Sequence, residues 1–116
     1  MAQYVIEFTN KSDVEQTWDI TGYDPSTIEP GYFDAVYEDL TRDTIWELVV
    51  TAGNQSCSAT LFYSVSSDSF MLNVHSGQWD KSRTVAGNIV EIGCYQGDSP
   101  LERNAGKKKG NILVKA

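Results

Sequence analysis

A chain of 116 residues is sized for one domain, residues 1–116, and its 41% hydrophobic and 11% aromatic content excludes a disordered polypeptide. A net charge of -7 excludes non-specific binding to DNA or RNA, which requires a basic face that neutralises several phosphates. Only two cysteines, Cys57 and Cys94, exclude a disulfide-dense scaffold and leave open buried free thiols, the preferred reading, or a single bridge.

The acidity is concentrated early. Residues 1–50 carry eleven Asp or Glu against two Lys or Arg, whereas the remainder carries five against seven. Met1-Ala2-Gln3-Tyr4 has neither a basic nor an apolar leader region, and no apolar run approaches the ~20 residues of a membrane span, so a soluble protein without a signal peptide is expected.

Period-two alternation recurs along the chain, and no stretch sustains the 3.6-residue period of a long amphipathic helix. Tyr4, Ile6 and Phe8 share one face of a first predicted strand, which ends in the turn cluster Thr9-Asn10-Lys11-Ser12-Asp13. Residues 17–21 form a second, with Trp18 and Ile20 on one face; Gly22-Tyr23-Asp24-Pro25-Ser26 and Glu29-Pro30-Gly31 break the chain after it. Residues 32–40 alternate so that Phe33, Ala35 and Tyr37 are expected inward, with Asp34 and Glu38 pointing the other way. Residues 44–52 are apolar and β-branched enough to suggest a strand buried on both faces, closed by Gly53-Asn54. Residues 59–65 and 70–75 flank a polar turn and predict a β-hairpin. Residues 88–95 and 111–115 supply two more strands, and the polar, breaker-rich residues 97–109 predict a long loop with room for one helical turn near Pro100. About eight short strands at this spacing indicate an all-β, antiparallel β-sandwich.

Little in the sequence supports enzyme chemistry. Group-transfer enzymes need a nucleophile, a base and an oxyanion site together. His75 is the single histidine, and neither cysteine lies in a nucleophile motif. Three scattered Cys and His residues do not make a zinc site, the acidic clusters lack a calcium-loop spacing, and no glycine-rich phosphate loop occurs. No cofactor or metal is therefore expected, and a binding module is favoured over an enzyme.

Two features suggest what is bound. Trp79 and Tyr95 fall in segments of loop-like composition, where an apolar ring with a polar tip suits glycans, lipid headgroups or a membrane interface; the alternative is that they close the core beneath a loop. Lys107, Lys108 and Lys109 lie between Gly106 and Gly110, the one concentrated positive charge in an acidic chain, and suit either an anionic contact or a solvated turn.

Several short segments together resemble the aegerolysins. They are Ala2-Gln3-Tyr4-Val5, Ile28-Glu29-Pro30-Gly31, Val74-His75 with Trp79-Asp80-Lys81-Ser82, Val90-Glu91-Ile92-Gly93, and the terminal glycine-bounded Gly106 to Gly110 segment before Ile112 and Val114. Ser76-Gly77-Gln78-Trp79 stands where that family usually has Cys-Pro-Trp. The resemblance implies a small acidic β-sandwich that binds membrane lipids, with Trp79 in the place of a membrane-facing tryptophan loop. It also implies that any pore would call on oligomers or a partner protein. Phe8-Thr9-Asn10-Lys11-Ser12 with Thr17-Trp18 also resembles the actinoporin-like cytolysin and lectin fold, whose lectin branch implies carbohydrate binding instead. A third reading is a module that binds or inhibits a protein partner through a strand edge or the acidic first half.

Overall fold

The computed structural model describes residues 3–84, 86–96 and 108–115. Among these the protein is all-β, with ten strands: β1 (Gln3–Asn10), β2 (Gln16–Ile20), β3 (Ser26–Ile28), β4 (Tyr32–Asp39), β5 (Thr44–Ala52), β6 (Gln55–Ser64), β7 (Ser69–Val74), β8 (Trp79–Arg83), β9 (Ile89–Cys94) and β10 (Lys108–Ile112). They form two five-stranded sheets, ordered β10-β4-β1-β9-β8 and β3-β2-β5-β6-β7. The sandwich expected from the alternation is observed. Pairing is antiparallel except for β1 with β9 and β4 with β10, which run parallel.

The core lies between the sheets and is built from alternate residues, because successive side chains in a strand point to opposite faces. Tyr4, Ile6 and Phe8 from β1 and Val90 and Ile92 from β9 meet Trp18 and Ile20 from β2, Leu48 and Val50 from β5, and Leu61 from β6. Phe8 and Trp18 are fully enclosed, with ring centroids 5.5 Å apart across the two sheets.

Several expectations are corrected. The faces of β4 are inverted: Ile6 pairs with Val36 and Phe8 with Asp34, so Val36 and Asp34 share the inward side with β1's core residues. Asp34 is tolerated there because Ser26 Oγ donates to its Oδ2 at 2.5 Å and Asn111 N to its Oδ1 at 2.7 Å, replacing the water it loses. Phe33 and Ala35 are nonetheless buried, on the other side of the strand. β5 is buried on one face only; Ile45 and Val49 are exposed on the other. β3 and β8 are additional strands in segments read from sequence as turns. The final strand begins at Lys108, earlier than expected, and bulges between Lys109 and Ile112. The predicted hairpin is present as β6 and β7.

At one end of the sandwich the sheets are clamped by Asp68, in the turn between β6 and β7. Its carboxylate accepts from Tyr4 Oη (2.5 Å) and Tyr63 Oη (2.9 Å) and pairs with Arg83 of β8 at 3.2 Å. The Arg83 guanidinium also lies 5.4 Å from the Tyr4 ring and 5.5 Å from the Phe70 ring. The clamp joins β1 and β8 of one sheet to β6 and β7 of the other.

Candidate binding surface

The opposite end, where β1 finishes at Asn10, holds Trp79, Tyr95 and the start of β10. Register places Trp79 beside Cys94, Cys94 beside Asn10, and Lys108 beside Tyr32; Gly31 N donates to Asn10 O at 3.0 Å, completing the row across β8, β9, β1, β4 and β10. Trp79 and the start of β10 therefore share one end but occupy opposite edges of the sheet. Four strand spacings separate their backbones by roughly 19 Å. Lys107 lies outside the described residues, and for Lys108 and Lys109 the backbone alone is described.

Trp79 is half-buried and packs edge-on against Trp18, with ring centroids 5.5 Å apart and planes at 80°, while its Nε1 donates to Ser76 O at 2.9 Å. It opens strand β8 and is held by the core behind it. Part of the ring remains accessible at the rim. Tyr95 follows β9, is half-buried, and donates its hydroxyl to Asp80 Oδ2 at 2.8 Å. That hydrogen bond, with burial and the Asp80 charge, raises the phenol above its ordinary range, so Tyr95 stays a neutral donor.

Around Tyr95 lies a charged network that the sequence did not single out. Lys11 Nζ pairs with Asp80 at 3.2 Å and with Glu91 at 3.4 Å, and stands 5.9 Å from the Tyr95 ring centre. Thr9 Oγ1 donates to Glu91 at 3.2 Å. Burial opposes the Lys11 charge, but the two carboxylates outweigh it and hold the ammonium above its ordinary range. Gly93 makes the arrangement possible: a Cβ there would sit 2.5 Å from Asp80 Oδ1 and 2.8 Å from Lys11 Cε. The available signal was the parity of β9, which puts Glu91 on the face opposite Val90 and Ile92.

Beneath this surface, Asn10, Ser12 and Gln16 are fully buried yet satisfied. Asn10 Nδ2 donates to Val14 O and Ile28 O, and its Oδ1 accepts from Ser12. Gln16 Nε2 donates to Gln96 O at 2.7 Å and Cys94 O at 3.1 Å, and its Oε1 accepts from Trp18 Nε1 at 2.9 Å. One amide thus ties β2 to the chain leaving β9 and orients the tryptophan on which Trp79 rests.

A cleft of about 320 Å³ opens beside β10, lined by Thr27, Ile28, Glu29, Tyr32, Asp34, Gly110 and Asn111. Gly110 is required because a Cβ there would collide with the Asp34 carboxylate. This gives a physical reason for the glycine that follows the lysines. His75 is exposed, with Nε2 2.7 Å from Thr60 Oγ1. Among the described residues no three His, Cys, Asp or Glu side chains converge as a metal site would require.

No helix among the described residues is long and apolar enough to cross a membrane. Comparison with family models, curated proteins and solved structures finds no match to this chain.

Proposed function

We propose that the protein is a non-enzymatic binding module that docks on membranes carrying anionic lipid headgroups, using the end of the sandwich that holds Trp79, Tyr95 and the start of β10. The observation that carries this reading is the row from Trp79 to Lys108, in which Trp79, Tyr95 and the start of β10 share one end. Trp79 and Tyr95 are braced from behind by Trp18, Asp80 and Lys11, so they act as a fixed rim at headgroup depth. The lysines provide the attraction. Each Lys near an anionic surface contributes about 1 kcal/mol, so three together alter affinity on the order of 100-fold. The aegerolysin resemblance points to the same ligand class. Any lytic activity would follow from oligomers or a partner protein recruited after docking.

Liposome sedimentation tests the proposal. Binding should appear with vesicles containing anionic lipid, weaken as salt rises, and weaken again in the Lys107→Ala, Lys108→Ala, Lys109→Ala variant. Failure to sediment with any anionic, sphingolipid or sterol mixture would sink it. A positive glycan array with no vesicle binding would replace it with the lectin reading. Capture of a protein partner with neither would favour a protein-binding module.

A further inference from the structure

We propose that Cys57 and Cys94 form a reversible redox site that staples the two sheets together through the core. Their Sγ atoms are 3.3 Å apart, both side chains are buried, and the thiols are free. Cys57 belongs to β6 of one sheet and Cys94 to β9 of the other, so the bond would cross the sandwich. A disulfide needs the sulfurs at about 2.05 Å, an approach of little more than 1 Å that side-chain torsions can supply.

Access comes through one thin layer. Residues 75–78, the loop after β7, are exposed, and Gly77 lies directly against Cys57: a Cβ at Gly77 would stand 2.5 Å from Cys57 Cβ and 2.9 Å from its Sγ. Gly77 has φ of 86°, a conformation that glycine adopts without steric cost. The segment is held by hydrogen bonds from His75 N and Ser76 N to Ser58 O, from Ser58 N to Ser76 Oγ, and from Trp79 Nε1 to Ser76 O. Local opening of this loop uncovers Cys57 while both sheets stay paired. Cys94, on a strand paired along both edges and fully enclosed, remains behind it.

The order of events follows. The hydrogen bond from Cys94 favours the Cys57 thiolate and outweighs burial, while the same bond and burial push the Cys94 thiol up. The oxidant is a small disulfide, RS–SR. Cys57 loses its proton, and its thiolate attacks one sulfur of RS–SR. A Cys57–SR bond forms and RS⁻ leaves, taking up the proton. Cys94 then loses its proton and attacks Cys57 Sγ; the intersheet bond forms, the Cys57–SR bond breaks, and the second RS⁻ takes the second proton. Two thiols become one disulfide, and one external disulfide becomes two thiols.

The test is incubation of the native protein with oxidised glutathione, followed by acid quench, intact mass and peptide mapping. The expected product is monomeric, lighter by two hydrogens, with Cys57 linked to Cys94, and with a melting temperature raised by on the order of 10 °C. Cys94→Ser should accumulate a glutathione adduct on Cys57 at least about tenfold faster than Cys57→Ser accumulates one on Cys94. If the variants do not fold, the wild-type peptide map and melting shift decide alone. Thiols that persist under native conditions and react only at the rate of global unfolding would overturn the proposal, as would equal reactivity of the two cysteines for the assigned order.

Discussion

The two ends of the sandwich each carry an aromatic and charged cluster, but they spend it differently. At the Asp68 end, the carboxylate, two tyrosines and Arg83 come from both sheets and satisfy one another, so the cluster acts as a clamp. At the Asn10 end the work is split in two layers. Neutral amides below, Asn10 and Gln16, fasten the chain, and the charged layer above, Lys11, Asp80, Glu91 and Tyr95, rests on a single sheet. An end whose fastening is buried can present its surface groups to a ligand without loosening the sheets. Function is therefore expected where the charges are not needed to hold the sheets together.

Removing the buried fastening should have the largest effect. Gln16→Leu keeps the side-chain size but leaves Trp18 Nε1 without its acceptor and Gln96 O without the Gln16 donor, while Cys94 O keeps only the bond from Lys11 N. With buried orphan groups costing about 1–3 kcal/mol each, a loss of about 4 kcal/mol in urea denaturation is expected. A loss below about 1 kcal/mol would show that this end is fastened by something else.

A smaller effect is expected at the clamp, and it carries a pH signature. Hydrogen bonds from Tyr4 and then Tyr63, with Arg83 nearby, hold the Asp68 carboxyl below its ordinary value of 3.8. A depressed carboxyl stabilises the fold fully above that ordinary value and loses its contribution as the pH falls through the lower folded value. Asp68→Asn should therefore lower the melting temperature at neutral pH, and the gap from wild type should narrow as the solution is acidified below about pH 4. A gap that stays constant with pH would show that the carboxylate charge is not what the tyrosines and Arg83 recognise.

What could be read in the sequence divides along the same line. Strand existence was legible wherever apolar residues alternate, as in Tyr4-Ile6-Phe8 or Trp18-Ile20, because a half-buried strand imposes period two. β8 was not, since Trp79-Asp80-Lys81-Ser82-Arg83 contains one apolar residue and lies at a sheet edge where its charges serve the network and the clamp. β3 is three residues between two breaker clusters. Alternation also carries no sign: β4 offered Phe33, Ala35 and Tyr37 as the obvious inward set, and the burial of Asp34 depends on Ser26 and Asn111, distant residues that nothing local announces. The candidate surface was legible in its aromatics and lysines as residue types. Its geometry was not, because it depends on the parallel pairings of β9 with β1 and β10 with β4, which only the folded chain sets.

Within the charged layer, Gly93→Ala should cost more than Lys11→Met. The added methyl would push aside both the Asp80 carboxylate and the Lys11 stem, loosening their ion pair and the Tyr95 hydrogen bond together at a cost of about 1–2 kcal/mol, whereas removing a partly exposed cation from its ion pairs costs about 1 kcal/mol or less. Chemical denaturation at low and high salt checks the order. If Lys11→Met proves the costlier change, the layer fastens the fold after all, and the contrast between the two ends loses its basis.

The smallest effect on the fold should be the largest on binding. Replacing Lys107, Lys108 and Lys109 with Ala should change the unfolding free energy in urea by no more than about 0.5 kcal/mol, the usual range for surface substitutions, since Gly110, which the Asp34 packing requires, is kept. On anionic vesicles the same variant should bind on the order of 100-fold more weakly, with a shallower dependence on salt. Trp79→Ala supplies the opposite pairing, because the ring packs on Trp18 and its loss opens a gap at the core margin. It should lower stability and binding together. A lysine variant that loses stability, or one that binds as wild type does, would break the separation between holding the sandwich shut and meeting a membrane on which the assignment of the Asn10 end depends.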